Sequence, residues 1–260
     1  WARISSVLAG PLFNFLLAFI LALVIVAFTG SDRPVIQEVA PGGAAEAAGM
    51  RAGDLITEIN GENIHLYRQV NLISALNKGE ALEIEYVRAG EKNSVTLKPL
   101  YDSSAGRYYI GLMGAGEYFK CNALQVFQYS FYELEYWVNA TFKSLGMLFT
   151  GQVTKDDMAG PVGIAQIVGE TYQEVKPYGI SSVIFSMMNI AILLSVNLGI
   201  LNLLPFPALD GGRLVFLFIE AIRGKPIPPE KEGMVHFAGM AALMILMVFV
   251  LFNDISRLFS

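Results

Sequence analysis

Residues Ile4 to Ser31 contain no charged side chain, and residues Pro177 to Leu209 contain none either. Nothing else in this chain limits its fold so severely. A helix rises about 1.5 Å per residue, so about 20 apolar residues cross the ~30 Å hydrocarbon core of a bilayer. Inside lipid every backbone N–H and C=O must be satisfied within the protein, which leaves the helix as the form such a run can take. The first run, with LLAFILALVIVAF at its centre, is too long and wrongly flanked for a cleaved signal peptide. A third apolar stretch runs from Met234 to Asn253. The composition agrees: 54% of residues are hydrophobic and 16% charged, against roughly 25% charged in soluble domains. The net charge of −5 points away from nucleic acid. Cys121 is the only cysteine, so an intrachain disulfide is excluded.

Between the first and second runs the texture changes. From Asp32 to about Leu100 charges return, and strand-like runs (VIQEVAP, DLITEING) alternate with Gly-rich turns. EIEYV and SVTLK, separated by RAGEKN, read as a hairpin, and AAEAAGM reads as a short helix ending at Gly49. Leu66, Val70, Ile73 and Leu76 recur at helical spacing. Residues 122–150 are helical in period and rich in aromatics, with Glu133, Glu135 and Lys143 interrupting the apolar face. They read as an interfacial amphipathic helix, the alternative being a helix packed on the preceding soluble segment. The expected organisation is a helical integral membrane protein with three transmembrane helices and an inserted α+β domain. Its parts are 1–30 (first span), 31–116 (soluble domain), 117–182 (amphipathic helix and loop), 183–233 (second span and a short helix) and 234–260 (third span and tail). Arg213, Arg223, Lys225 and Lys231 lie between the second and third spans, and Arg3 precedes the first. The excess of basic residues in short cytoplasmic loops then puts the inserted domain outside the cytoplasm and Asp210 near the cytoplasmic face.

The second run ends in NLLPFPALDGG, residues 202–212. Pro205 and Pro207 cannot continue a helix, because each lacks an N–H and clashes with the preceding turn. The helix therefore breaks where Asp210 sits. A charge at membrane depth is costly and needs water or a partner. Either Asp210 marks the membrane boundary beside Arg213, or it points into an internal hydrated site where broken backbone is tolerated.

NLLPFPALDGG resembles the Asn-x-x-Pro-x-x-x-Leu-Asp-Gly motif of the site-2 protease family of intramembrane zinc metalloproteases. AGPLFNF (9–15), VAPGGAAEAAGMRAGDLITEINGENI (39–64), GPVGI (160–164) and NDISRL (253–258) extend the resemblance to its RseP-like bacterial branch, the second of these being similar to a PDZ domain. The resemblance implies hydrolysis of a peptide bond within the transmembrane segment of a single-pass protein in a bacterial inner membrane, such as an anti-sigma factor or a signal-peptide remnant. It implies Zn2+ held by two histidines of a His-Glu-x-x-His motif together with Asp210. Zinc lowers the pKa of a water and the motif glutamate takes its proton. Asn202 matches the motif asparagine, implied to contact substrate backbone, and Asn14 would face the same cavity or else serve helix packing. The PDZ-like domain would gate access, with Ile110, Gly111, Leu112 and Val70 lining a peptide groove. The residues themselves leave open that these four are simply core.

The sequence departs from the family pattern in one respect. It contains no His-Glu-x-x-His, and its two histidines, His65 and His236, lack the spacing of a helical zinc site. The expectation is that the helix bearing this motif precedes Trp1, and that these residues alone are proteolytically inactive. The rival readings are a catalytically inactive PDZ scaffold or pseudoprotease and, less well supported, a transporter using Asp210 at a broken helix.

Overall fold

The computed structural model describes residues 2–103, 107–113, 117–151 and 160–258. Trp1, Gly114 and most of the loop after Gly151 lie outside them. Helix α1 (Ala2–Thr29) is followed by β1 (Ser31–Arg33), β2 (Glu38–Val39), α2 (Ala44–Ala47), β3 (Leu55–Ile59), β4 (Glu62–Asn63) and α3 (Tyr67–Leu76). Then come β5 (Leu82–Arg88), β6 (Glu91–Leu97), β7 (Leu100–Asp102), β8 (Arg107–Tyr109), β9 (Leu112–Met113) and β10 (Glu117–Phe119). The rest is helical: α4 (Ala123–Phe149), α5 (Pro161–Val175), α6 (Ile180–Leu203), α7 (Asp210–Arg223) and α8 (Pro229–Leu258). Three helical segments among the described residues, Arg3–Thr29, Ile180–Leu203 and Pro229–Ser256, are long and apolar enough to cross a membrane. The chain divides into two compact units, one made of the residues up to Ala22 and from Trp137 onward, the other of Leu23–Tyr136.

The Leu23–Tyr136 unit is built on an antiparallel sheet in the order β4-β3-β5-β6. Alternate residues Leu82, Ile84 and Tyr86 of β5 turn inward, as a strand's two-residue period requires, and join Ile36, Ile56, Ile59, Val70, Leu97 and Ile110 in one core. The hairpin is tighter than RAGEKN implied: β5 and β6 pair from Leu82↔Leu97 to Arg88↔Glu91, leaving a two-residue turn. Ala89 and Gly90 both take positive φ there (51° and 87°), the backbone that matches the twist of paired strands. β8 and β9 are not one continuous strand. Gly111 has φ 83°, so the chain kinks between β8 and β9, and β9 pairs with β2. β1 pairs with β10, which joins the segments entering and leaving the unit.

The first half of α4 packs on this unit, the alternative to the interfacial helix that the aromatic pattern favoured. Tyr129 meets Phe119 edge-on at 5.0 Å, and Tyr132 stacks on His65 with ring centroids 3.9 Å apart. Glu133 is buried, its carboxylate accepting from Arg68 Nη1 at 2.9 Å, while Arg68 Nη2 reaches Asp32 of β1 at 2.8 Å. Burial drives the Glu133 carboxyl up to about 7 despite the opposing effect of Arg68. The Arg68 guanidinium is held charged: its burial acts against the charge, but Glu133 and Asp32 outweigh it.

In the other unit α6 is the central helix. Ile192, Val196, Gly199 and Ile200 are buried. A Cβ on Gly199 would lie 3.1 Å from the Phe15 ring and 3.4 Å from Asn14 Cβ, so α6 and α1 approach closely through this glycine. Thr141 on α4 donates to Asn197 Oδ1 on α6 at 2.5 Å, a polar tie between apolar helices. α5 lies against α6 and α8.

Candidate functional site

The break after α6 is made by its sequence. α6 ends at Leu203, Pro205 and Pro207 prevent its continuation, and α7 starts at Asp210 with Leu209 in extended conformation before it. The new helix folds back so tightly that its first residues have no space for side chains. A Cβ on Gly211 would lie 2.2 Å from the Leu204 carbonyl oxygen, and one on Gly212 would lie 2.3 Å from that of Phe206. The two glycines of the motif are steric requirements of the turn.

Asp210 thereby occupies the first turn of α7, where the exposed N–H groups of a helix favour a negative charge. It is half-buried. Its Oδ2 faces α1 at Gly10, where an added Cβ would be 3.3 Å away. Asn14 lies one turn further along α1 and packs at Gly199, and Asn202 lies three residues beyond Gly199 on α6. One seam of a single unit thus carries Gly10, Asn14, Gly199 and Asp210, and Asn202 is half-buried near the end of α6. Among the described residues no group of three His, Cys, Asp or Glu side chains is placed to hold a metal ion. A half-buried carboxylate facing a residue without a side chain is suited to be one oxygen ligand of a divalent cation, and it cannot be a complete site.

Neither histidine joins it as a second donor. His65 belongs to the other unit, where its backbone N–H donates to Gln69 Oε1 at 2.7 Å and its ring stacks on Tyr132. His236 sits on α8 and accepts a hydrogen bond from the Ala208 backbone N–H at Nδ1, 3.0 Å.

The expected groove residues lie in the Leu23–Tyr136 unit. A cavity of about 300 Å³ is lined by Val70, Asn71, Ser74 and Ala75 of α3 and by the stretch from Tyr108 to Leu112. Val70 and Ile110 are nevertheless core residues, 1% and 3% exposed, so they form the floor, while Leu112 and the Gly111 backbone form one wall.

A further pairing escaped the reading of residues by type. Asp254, near the end of α8, accepts from the N–H groups of Gly160 (3.1 Å), Val162 (3.1 Å) and Gly163 (2.9 Å), the unpaired donors at the start of α5. GPVGI and NDISRL are therefore two halves of one contact. The available signal was a lone acid closing an apolar helix.

The family profile described as Peptidase family M50 matches residues 1–246. The chain is 44% identical over 260 residues to the zinc metalloprotease RasP of Geobacillus kaustophilus, covering 99% of this chain and 59% of that protein. It is 37% identical over 261 residues to the regulator of sigma-W protease RasP of Bacillus subtilis (100% and 60%). It is 32% identical over 255 residues to a putative zinc metalloprotease of Clostridium acetobutylicum (97% and 72%). The chain thus spans about three-fifths of the length of the first two relatives. Among solved structures, the PDZ domain of an SdrC-like protein from Listeria monocytogenes aligns at 24% identity and TM-score 0.28, covering 30% of this chain and 83% of that domain. With the profile matched over residues 1–246 and a relative 32% identical across 72% of its own length, the chain belongs to peptidase family M50.

Proposed function

We propose that this chain supplies part of the catalytic centre of an intramembrane zinc protease that cuts the transmembrane segment of a single-pass protein, with an anti-sigma factor as the substrate class. The observation that carries this reading is Asp210: a carboxylate at a forced helix break, half-buried and turned toward Gly10. Asp210 would hold Zn2+ as one of its ligands. The ion when bound supplies a Lewis acid and an acidified water. Asn202 orients the substrate backbone from the end of α6, where an extended peptide needs donors and acceptors that lipid does not offer. Asn14 lines the same seam from α1. The Leu23–Tyr136 unit gates access through the groove at Val70 and Ile110–Leu112. Arg213, Arg223, Lys225 and Lys231 favour a cytoplasmic location for the Asp210 end and an extracytoplasmic one for the PDZ-like unit.

The test is cleavage of a single-pass substrate by the full-length protein in detergent. Asp210→Ala should abolish turnover and a chelator should do the same, while the 260 residues alone should show none. One observation favours a second reading, a membrane-anchored PDZ scaffold without activity: the described residues hold no three-donor metal cluster. Chelator-insensitive behaviour of the full-length protein in every assay would select that reading.

A further inference from the structure

α8 grips the loop that presents Asp210 at two consecutive turns. At the first, His236 Nδ1 accepts the Ala208 N–H at 3.0 Å. At the second, Gly239 lies so close that a Cβ there would be 2.4 Å from the Pro207 carbonyl oxygen and 2.5 Å from Pro207 Cβ. Ala208 needs holding. It has φ 80°, a left-handed conformation that is strained for a residue with a side chain, and it stands between Pro207 and the start of α7. Its N–H has left the regular ladder of α6, and the imidazole of His236 supplies the acceptor.

A histidine meets this need in a particular protonation state. A ring whose Nδ1 accepts cannot be an imidazolium, so its proton is on Nε2. Nε2 is buried and makes no hydrogen bond, with Glu232 Oε1 one turn earlier on α8 at 3.7 Å. The Phe216 ring of α7, 5.8 Å away by centroids, packs on the same imidazole. The ring therefore touches the loop before Asp210 and the helix after it.

We infer that His236 is a positioning residue of the metal centre: by accepting the Ala208 N–H it fixes the left-handed turn that aims the Asp210 carboxylate two residues later. The inference rests on the reading of Asp210 as a zinc ligand. It excludes His236 Nδ1 as a ligand, since that lone pair is already engaged. Partners of metal ligands that act in this way typically change metal affinity about 10–100-fold.

The experiment uses isosteres in the full-length protein. Asn places an acceptor oxygen near the position of Nδ1, Gln places one near Nε2, and Leu fills the space without an acceptor. Zinc retention is measured against a competing chelator, and amide hydrogen exchange is read over residues 205–212. His236→Asn should keep zinc within a few-fold of the wild type, whereas His236→Gln and His236→Leu should lose it about 10-fold or more. Exchange at Ala208 should accelerate in the Gln and Leu variants and stay slow in the Asn variant. Wild-type retention in His236→Leu, or loss in His236→Asn with retention in His236→Gln, would overturn the inference. If the wild-type protein holds no zinc, the metal reading itself fails. The exchange rates then decide the hydrogen-bond claim alone, and equal rates in the Asn and Leu variants would refute it.

Discussion

Glycine has opposite meanings at different positions of this chain, and the difference is measurable. Gly211 has carbonyl oxygens of Leu203 and Leu204 within 2.3 Å of where a Cβ would be, whereas Gly169, inside α5, has nothing within 4 Å. Gly211→Ala should destabilise the protein by about 3 kcal/mol or prevent its accumulation, because rigid backbone cannot yield as a side chain would. Gly169→Ala should raise stability by roughly 0.5–1 kcal/mol by removing helix-interior flexibility. Thermal denaturation of the two variants in the same detergent checks both, and equal midpoints would contradict the steric account. The helix break at Asp210 was legible from residues alone because proline and glycine punctuate the chain on either side of it. Glu133 was not. Its partner Arg68 is 65 residues away, and periodicity cannot tell a buried paired carboxylate from a solvated one.

Between elements, the contact of Asp254 with α5 is the clearest case of charge used for placement. Three N–H groups converge on one carboxylate that is 3% exposed. Val250 Cγ1 lies 2.6 Å from where a Gly160 Cβ would be, so no larger residue fits there. Asp254→Ala should cost roughly 3 kcal/mol, since it strands buried donors without replacing them. Hydrogen exchange at Gly160–Ile164 should speed up, with Asp254→Asn falling between the two, and unchanged exchange in Asp254→Ala would refute the cap. The apolar helices α1, α6 and α8 could be read from the sequence because length and lack of charge suffice. The role of α4 could not. Its aromatic residues pointed to a bilayer interface, whereas the contacts of its first half with Phe119, His65 and Arg68 are with protein.

At the scale of the molecule, the Arg68 cluster ties the segment after α1 to α3 and to α4. Asp32, Tyr118 and Tyr136 share the site with Glu133 and Arg68. Glu133 has a folded pKa raised to about 7, above its ordinary value of 4.5. Folding therefore favours the protonated acid. The stability this group contributes is complete below pH 4.5 and is lost as pH rises through about 7, a change of roughly 3 kcal/mol. Glu133→Gln should remove that dependence, so the variant should gain on the wild type between pH 5 and pH 8 in denaturation midpoint. A constant difference would contradict the assignment. The three-helix plan with an inserted α+β region was readable at this scale because hydropathy and turn residues act locally. The pairing of GPVGI with Asp254 was not, since it depends on two elements 91–94 residues apart.

The central claim is that Asp210 holds zinc, and metal content measures it most directly. The full-length protein, purified in detergent and assayed by elemental analysis, should carry about one zinc per chain, the number a single three-ligand catalytic site holds. Asp210→Ala at equal folding and helix content should carry close to none. Equal zinc in the two proteins, or none in the wild type, would contradict the account.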